Sequence, residues 1–406
     1  MAEAIMNTIT KPRQGAWTGK RIALIVGLLL AVVIVPIAFQ GFQELSFFVR
    51  VLAIAAIYVI LALGLNIVTG YAGLLNFGYA AFYAMGAYAS VVVGNLVIDM
   101  IAKIGNVGLR EFLTGSTWIA MLPVAAVVAA LAGLALGAPV LRLRGDYLAI
   151  VTLGFGEIVR LLAVNDFLGL TRGAMGVSTT QVNPVGLTWL QDNARLTLGG
   201  FDFMFSVNLY WYFAAVAIII FTIFVIRRLD DSRLGRSWVA MREDEIAAES
   251  VGVNVMTAKL WAFALGAMFG GLAGVIFANS QGFVSPESFI FMESAMIVSM
   301  VVLGGMGSIP GVIVGALLLA GIPEVISGVA QSPLLSGLIS AETASSISSY
   351  RYLAFGLLMV VMMAVRPQGM IPSKRRAQEL QPDDMRIVED EDQSSWTVEH
   401  GARHDL

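Results

Sequence analysis

The sequence predicts an all-α, polytopic integral membrane protein with about ten transmembrane helices, roughly eight to ten if some do not cross fully. Hydrophobic residues make up 58% of the 406 residues, charged residues make up only 13%, and the mean hydropathy is +0.81. Because soluble domains carry about 25% charged residues, this surplus of apolar side chains needs lipid as its solvent. The apolar residues also occur in runs about as long as a bilayer is thick, separated by polar segments.

The apolar runs define a transmembrane domain over 22–366, which follows an N-terminal tail, 1–21, and precedes a polar tail, 367–406. We predict that the polar tail is disordered, since it is rich in charge and poor in apolar residues. The predicted spans are 22–39, 51–69, a third ending near residue 98, 117–141, 147–164, 209–226, 260–279, 293–303, a ninth ending near residue 321, and 350–365.

Positive charge predicts the orientation of these spans. The positive-inside rule assigns four Lys/Arg-rich places to the cytoplasm: the N-terminal tail, Arg142 with Arg144, the segment 227–259, and the stretch 366–376. The loop 99–116 and the long segment 165–208 then lie on the outer side. Both chain termini are therefore expected in the cytoplasm.

Composition excludes several kinds of chemistry. There is no cysteine, so disulfides, thiolate metal sites and cysteine nucleophiles are absent. The two histidines, His400 and His404, lie in the polar tail, away from the membrane. The run GAWTGKR at 15–21 lacks the spacing of a phosphate-binding loop. We expect a protein that is not an enzyme and that holds no metal or cofactor, so any ATP and magnesium would bind to partner subunits.

The segment 227–259 is a charged island between two apolar runs. It holds six Lys/Arg and six Asp/Glu, so we expect it to lie in water. Its middle is typical of a short amphipathic helix, with Ser237 as N-cap, apolar Trp238, Met241 and Ile246 at roughly helical spacing, and Gly252 just past its end. We predict that the apolar side of this helix is free for a soluble partner that drives the membrane helices. The alternative is a solvated, positively charged anchor loop.

Glycines interrupt two of the apolar runs, at 70–79 and at 304–311. Irregular backbone at membrane depth persists only where protein or a water-filled cavity satisfies its polar groups. We therefore predict that the first interruption lines a pathway, with Gly73, Asn76, Phe77 and Tyr79 as candidates. The alternative is that its small residues serve only close helix packing. The second interruption resembles the first, as in transporters built from repeats.

Glu157 and Arg160 are charged residues inside the fifth predicted span. One charge at mid-span costs about 2.5–3.5 kcal/mol on the insertion scale. Residues three apart share a helix face, so pairing would lower this cost. We expect a structural ion pair that faces the bundle interior, and a role in gating is the alternative.

Small residues recur at four-residue spacing in two of the later apolar runs. Such spacing lets helix backbones approach closely. The glycines predicted to pack in this way are Gly266, Gly270, Gly274, Gly307, Gly311 and Gly315.

Four stretches resemble a known family: 70–90, the run LRLRGDYLAIVTLGFGE at 141–157, 236–252, and 304–311. Together they are similar to the permease subunits of bacterial branched-chain amino acid ABC importers, the LivM type, over about 45–370. The resemblance implies a multi-pass protein of the bacterial inner membrane, surrounded by lipid and without a nucleic-acid partner. It also implies three kinds of partner: a second permease of the LivH type, two cytoplasmic ATPases and a periplasmic substrate-binding protein.

The same resemblance implies that 227–259 is the loop that couples to the ATPases. Importer permeases carry a coupling motif of the form E-A-A-x-x-x-G. Residues 247–252 match its later positions, whereas Ile246 replaces the leading Glu and Glu245 lies one residue earlier. The implied coupling residues are Trp238, Met241, Arg242, Glu243, Asp244, Glu245, Ala247, Ala248 and Gly252.

The expected function is ATP-driven import of Leu, Ile or Val through a largely apolar pathway. An importer for urea or short amides is one alternative, because its permeases have similar sequences. A secondary transporter driven by an ion gradient is another. It would need an ionisable group at mid-membrane, for which Glu157 is the candidate.

Overall fold

The structure is a computed structural model. It describes residues 32–40, 46–140, 143, 145–179, 205–331 and 369–371, together with short pieces at 184, 187, 196–198, 201–203, 356–357, 359–361 and 364. The predicted N-terminal tail, and all of the polar tail except 369–371, lie outside the described residues.

Helices account for nearly all of the described chain. They are α1 (32–40), α2 (Ser46–Asn66), α3 (Tyr79–Ile101), α4 (Val107–Val140), α5 (Asp146–Val164), α6 (Val207–Asp230), α7 (Arg233–Glu243), α8 (Glu245–Ser250), α9 (Val255–Gln281), α10 (Phe291–Gly304) and α11 (Ile309–Gln331). A π-helical turn, Ile67–Tyr71, extends α2, and single 3-10 turns lie at Phe167–Gly169, Gly173–Met175 and Pro286–Phe289.

Seven helices in the described part of the chain are long and apolar enough to cross a membrane. The first part of α11, Ile309–Ile322, is a shorter apolar helical segment. The prediction of an all-α, polytopic membrane protein is therefore confirmed. The count of about ten spans stays a prediction, because the runs at 22–39 and 350–365 are only partly described.

The loop predicted over 99–116 is much shorter in the structure. Helix α3 continues to Ile101 and α4 already begins at Val107. The Asn106 side chain accepts a hydrogen bond from the Leu109 backbone N–H at 3.2 Å, which caps the new helix. Inside the helix, the Thr114 hydroxyl donates to the Arg110 carbonyl at 2.8 Å. Polar side chains in this segment are therefore satisfied by local hydrogen bonds, so the segment is largely helical although its polarity had predicted a loop.

Helix α9 lies at the centre of the bundle, packed against α2, α3 and α4. Its glycines make this possible. A Cβ on Gly274 would lie 2.5 Å from the backbone nitrogen of Ala87 in α3, and a Cβ on Gly266 would lie 2.5 Å from Val68 beyond the end of α2. Gly270 lies against Tyr79 and Phe82 at ordinary van der Waals distance or slightly closer. The backbones are thus close enough that a larger side chain does not fit.

Two short strand pairs lie between the helices. Strand β1 (Val177–Ser178) pairs with β4 (Phe283–Val284), in the register Val177 to Val284. Strands β2 (Leu196–Leu198) and β3 (Phe201–Phe203) form an antiparallel hairpin. The first pair joins the segment after α5 to the segment after α9, so it holds the two helix ends together.

Candidate functional site

The charged segment between α6 and α9 folds as two short helices rather than one. Ser232 caps α7 by accepting from the Gly235 N–H at 3.2 Å, and Asp244 caps α8 by accepting from Ile246 and Ala247. The prediction of Ser237 as N-cap is wrong, since its hydroxyl donates to the Arg233 carbonyl inside α7. The chain leaves helical geometry at Asp244, where φ is −152° and ψ is 115°.

Gly252 ends the second helix in the position predicted for it. Its φ is +88°, a conformation that favours glycine. The Val253 N–H donates to the Ala248 carbonyl at 3.0 Å, and the Gly252 N–H donates to the Glu249 carbonyl at 3.0 Å. These two bonds satisfy carbonyls that the end of a helix otherwise leaves open, so α8 stops sharply at this residue.

The apolar side of α7 faces the membrane helices, not a soluble partner. Trp238 is 1% exposed, and Met241 is also buried. The Trp238 indole N–H donates to the carbonyl of Ala258, near the start of α9, at 2.8 Å. The expectation of a free apolar side is therefore wrong for Trp238 and Met241, which the chain itself covers, whereas Ile246 is exposed. The outward surface instead presents α8, where Ile246 and Ala247 are exposed.

Lys259 is an exception to the expectation that the whole segment lies in water. Its side chain is only 3% exposed, and its ammonium lies 2.7 Å from Oε1 of Glu245. A buried lysine needs an anionic partner, because an isolated charge away from water is very costly. This ion pair fixes α8 to the second turn of α9.

Arg242 points toward the two glycine-broken segments instead of outward. Its Nη1 donates to the Gly70 carbonyl at 2.8 Å. A Cβ on Gly73 would lie 2.7 Å from Cγ of Arg242, and a Cβ on Gly307 would lie 3.5 Å from Nη1. Arg242 thus makes an internal contact, and its role in coupling to an ATPase stays a prediction. We call Asn66, Gly70, Gly73, Arg242 and Gly307 the hinge cluster.

The first broken segment follows α2 and satisfies its own backbone. After the π-helical turn the chain is non-helical from 72 to 78, and Gly73 has φ +71°. The Thr69 hydroxyl donates to the Leu74 carbonyl at 3.1 Å, and the Asn76 side chain accepts from the Gly78 N–H at 2.9 Å. The Phe77 N–H donates to the Thr152 hydroxyl of α5 at 3.1 Å. The break is therefore a defined structure and is not a frayed helix end.

The second broken segment lies between α10 and α11. Gly305 and Gly307 have φ of +116° and +78°, so the prediction that Gly307 belongs to a helix-packing stripe is wrong. Positive φ at these two positions favours glycine over residues with a side chain. Gly311 and Gly315 do lie on α11 and pack closely, since a Cβ on Gly315 would lie 2.8 Å from Cα of Gly304.

The two broken segments meet each other within the hinge cluster. The Gly307 N–H donates to Oδ1 of Asn66 at 2.9 Å, and a Cβ on Gly70 would lie 2.5 Å from the Gly307 nitrogen. Asn66 and Asn76 are fully buried, and the Nδ2 of each finds no hydrogen-bond partner among the described residues. Buried amide donors are normally hydrogen-bonded, which sets these two asparagines apart from most of the other buried polar side chains of the described residues.

The predicted pathway residues separate into two groups. Gly73 is exposed, and Phe77 is half-buried with its ring 6.1 Å from that of Phe291. Asn76 and Tyr79 are buried, and the Tyr79 hydroxyl donates to the Gly266 carbonyl of α9 at 2.9 Å. Tyr79 therefore joins α3 to α9 and does not face a passage in this structure.

Glu157 and Arg160 form the expected ion pair, but not on the expected side. The Nε of Arg160 lies 3.0 Å from each carboxylate oxygen of Glu157. The side chains are 42% and 25% exposed for Glu157 and Arg160, so the prediction that they face the interior of this bundle is wrong. Helix α5 buries Leu148, Thr152 and Val159 on its opposite side, which turns the pair outward.

Several polar residues with structural roles were missed from the sequence. They are Asn66, Thr152, Lys259 and Glu293, whose carboxylate accepts from the Tyr58 hydroxyl at 2.8 Å. Asn66, Thr152 and Glu293 are polar residues within otherwise apolar runs, which is the signal that would have singled them out.

Comparison with known proteins assigns the chain to a family. Residues 47–363 match the family model described as branched-chain amino acid transport system, permease component. The permease protein LivM of the high-affinity branched-chain amino acid transport system from Salmonella typhimurium is 41% identical over 86% of this chain and 75% of its own length. The LivM protein of Escherichia coli is 40% identical over 89% and 77%, and the LivH permease of E. coli is 27% identical over 77% and 91%. No solved structure matches the chain. The chain therefore belongs to the family of branched-chain amino acid transport permeases.

Proposed function

We propose that this chain is a membrane-spanning permease subunit of an ATP-driven importer that carries Leu, Ile and Val into the cytoplasm. The observation that carries the proposal is the 40–41% identity, over most of both chains, to permeases of a branched-chain amino acid transport system. A second permease of the LivH type, two ATPases and a periplasmic binding protein would complete the assembly, and ATP and magnesium would bind on the ATPases.

The segment 227–259 is suited to receive force from the ATPases. Its outward surface is helix α8, which exposes Ile246, Ala247 and Glu249. Its inner side is attached to the membrane helices by hydrogen bonds and an ion pair. We infer that an ATPase docks on α8, with the Glu243 and Asp244 side chains at the edge of the contact.

Motion of α7 and α8 has two routes into the membrane. The first is through Trp238 and the Lys259–Glu245 pair to helix α9, at the centre of the bundle. The second is through Arg242 to both broken segments at once. Because the hinge cluster joins the ends of α2 and α10, a displacement of Arg242 would shift both helix ends together. We infer that the hinge cluster lies on the cytoplasmic side and takes part in opening the inner gate.

The two alternatives left open by the sequence are less well supported. Secondary transport would need an ionisable group poised to bind and release an ion, but Glu157 is engaged by Arg160 through two 3.0 Å contacts. The most similar permeases named above belong to amino acid systems, which favours amino acids over urea as cargo.

Reconstitution tests the proposal. The chain is purified in mild detergent from the cells that produce it, its co-purifying subunits are identified by mass spectrometry, and the complex is placed in vesicles with the binding protein. We expect two ATPases and a second permease to co-purify, and labelled leucine uptake to require ATP and to be inhibited by isoleucine and valine. Inhibition by urea would favour the amide importer. Uptake by this chain alone under a proton or sodium gradient would refute ATP coupling.

A further inference from the structure

Helix α5 presents an outward face that differs from those of the other peripheral helices. Ile150, Glu157 and Leu161 lie on one stripe at spacings of seven and four residues, with Leu153 and Arg160 beside them. Leu148, Thr152 and Val159 on the opposite side are buried. We call Ile150, Leu153, Glu157, Arg160 and Leu161 the α5 face.

An ion pair on this face is unfavourable against lipid. Glu157 lies about two turns from the end of α5, and charged side chains within a membrane span normally face protein or water. Helix α4, by comparison, exposes Val127 and Leu131, and its sequence from 117 to 140 holds no charged residue. The outward side of α4 is therefore suited to lipid, whereas the α5 face needs a polar or protein neighbour.

The first broken segment packs against the buried side of α5, not against the α5 face. The Phe77 N–H donates to the hydroxyl of Thr152, which is fully buried, and the Phe77 ring lies against Phe291, which is exposed at the start of α10. The α5 face is therefore a surface separate from the break.

We propose that the second permease of the importer packs on the α5 face and covers the Glu157–Arg160 pair. This inference rests on the proposed function, which supplies a second permease. The guanidinium of Arg160 has five N–H donors, and its hydrogen bonds to Glu157 run from Nε and Nη2, with the carboxylate of Glu287 also near enough to act on its charge. A facing permease that offers a carbonyl or carboxylate at this depth would complete the remaining side.

Site-specific photo-crosslinking in the assembled transporter tests this assignment. Benzoylphenylalanine replaces Ile150 or Leu161 on the α5 face, and Leu131 on α4 serves as the control. Ile150 is 66% exposed and Leu131 is 59% exposed, so the two positions differ in location and not in accessibility. Each substitution places a large apolar group at an exposed position, where no packing is lost. The adducts are separated after irradiation in the membrane and identified by mass spectrometry.

We expect adducts to the second permease from positions 150 and 161 and only lipid adducts from position 131. Lipid adducts alone at 150 and 161, or adducts to a second copy of this chain, would overturn the assignment. Adducts to the second permease from position 131 alone would place the contact on α4 and would also overturn it. If the second permease co-purifies in these cases, the proposed function stands while this inference fails. If no second permease co-purifies, both fail.

Discussion

The guanidinium of Arg242 lies 2.8 Å from the carbonyl oxygen of Gly70, although the two residues are 172 positions apart. This contact joins helix α7 of the charged segment to the break that follows membrane helix α2. It also places Arg242 next to Gly307, which belongs to the second break. A single side chain thereby links three segments that the sequence shows as separate.

Replacing Arg242 by Gln should uncouple transport from ATP hydrolysis. The shorter, neutral side chain does not reach the Gly70 carbonyl, so movement of α7 is no longer passed to the broken segments. We expect ATP-dependent leucine uptake to fall about fivefold or more, which is the low end of typical coupling between sites. The matched control is Arg236→Gln on the same helix, because the hydrogen bond that Arg236 makes within the described part of the chain is local, to the Asp231 carbonyl.

Uptake and ATPase rates are measured together for both variants. Arg242→Gln should keep its ATPase subunits and their hydrolysis while it loses uptake. Equal uptake by Arg242→Gln and the wild type would show that the Arg242–Gly70 contact carries no coupling.

Gly73→Ala should impair the same linkage for a steric reason. The position has φ +71°, which costs an L-residue about 1–2 kcal/mol, and the new Cβ would lie 2.7 Å from Cγ of Arg242. Gly169→Ala is the control, since Gly169 also has φ +71° but nothing lies within 4 Å of its Cβ position. An L-residue at positive φ should lower the thermal stability of both variants by a similar amount, as measured by thermal unfolding in detergent. Only Gly73→Ala should lose uptake, and similar uptake by both would argue against the contact.

The Lys259–Glu245 pair should behave as a coupled unit. Glu245→Gln leaves a buried ammonium without its anionic partner, and breaking a buried pair costs up to about 3–5 kcal/mol. Adding Lys259→Met removes that charge and should restore much of the lost stability. The four proteins of this cycle are compared by their thermal unfolding temperatures. Additive losses in the double variant would mean that the two side chains do not interact.

Gly274→Ala should disrupt packing between α9 and α3. Its Cβ would lie 2.5 Å from the Ala87 nitrogen and 2.5 Å from the Tyr83 carbonyl oxygen, and backbone atoms do not yield as a flexible side chain does. We expect a loss of about 1–3 kcal/mol, which is typical of overpacking, and a lower yield of folded protein. Gly321→Ala in α11 is the control, because nothing lies within 4 Å of that position. Unchanged thermal stability of Gly274→Ala would contradict the close helix approach.

Composition and patterning were sufficient to predict the membrane class, most of the spans and both broken segments. Long apolar runs indicate helices surrounded by lipid. Glycines such as Gly73 and Gly305 indicate backbone with positive φ, which other residues avoid. The end of α8 at Gly252 could be predicted from the sequence for the same reason. These are local properties, decided by each residue and its neighbours along the chain.

Only the tertiary structure decided where side chains point and which distant segments meet. Helical spacing placed Trp238 and Met241 on one side of α7, but it did not show that α9 covers that side. Pairing of Glu157 with Arg160 followed from their three-residue spacing, whereas their outward orientation depends on which side of α5 the other helices bury. The contact between Arg242 and Gly70 follows from no local pattern, because it depends on how the packed helices bring two remote segments together.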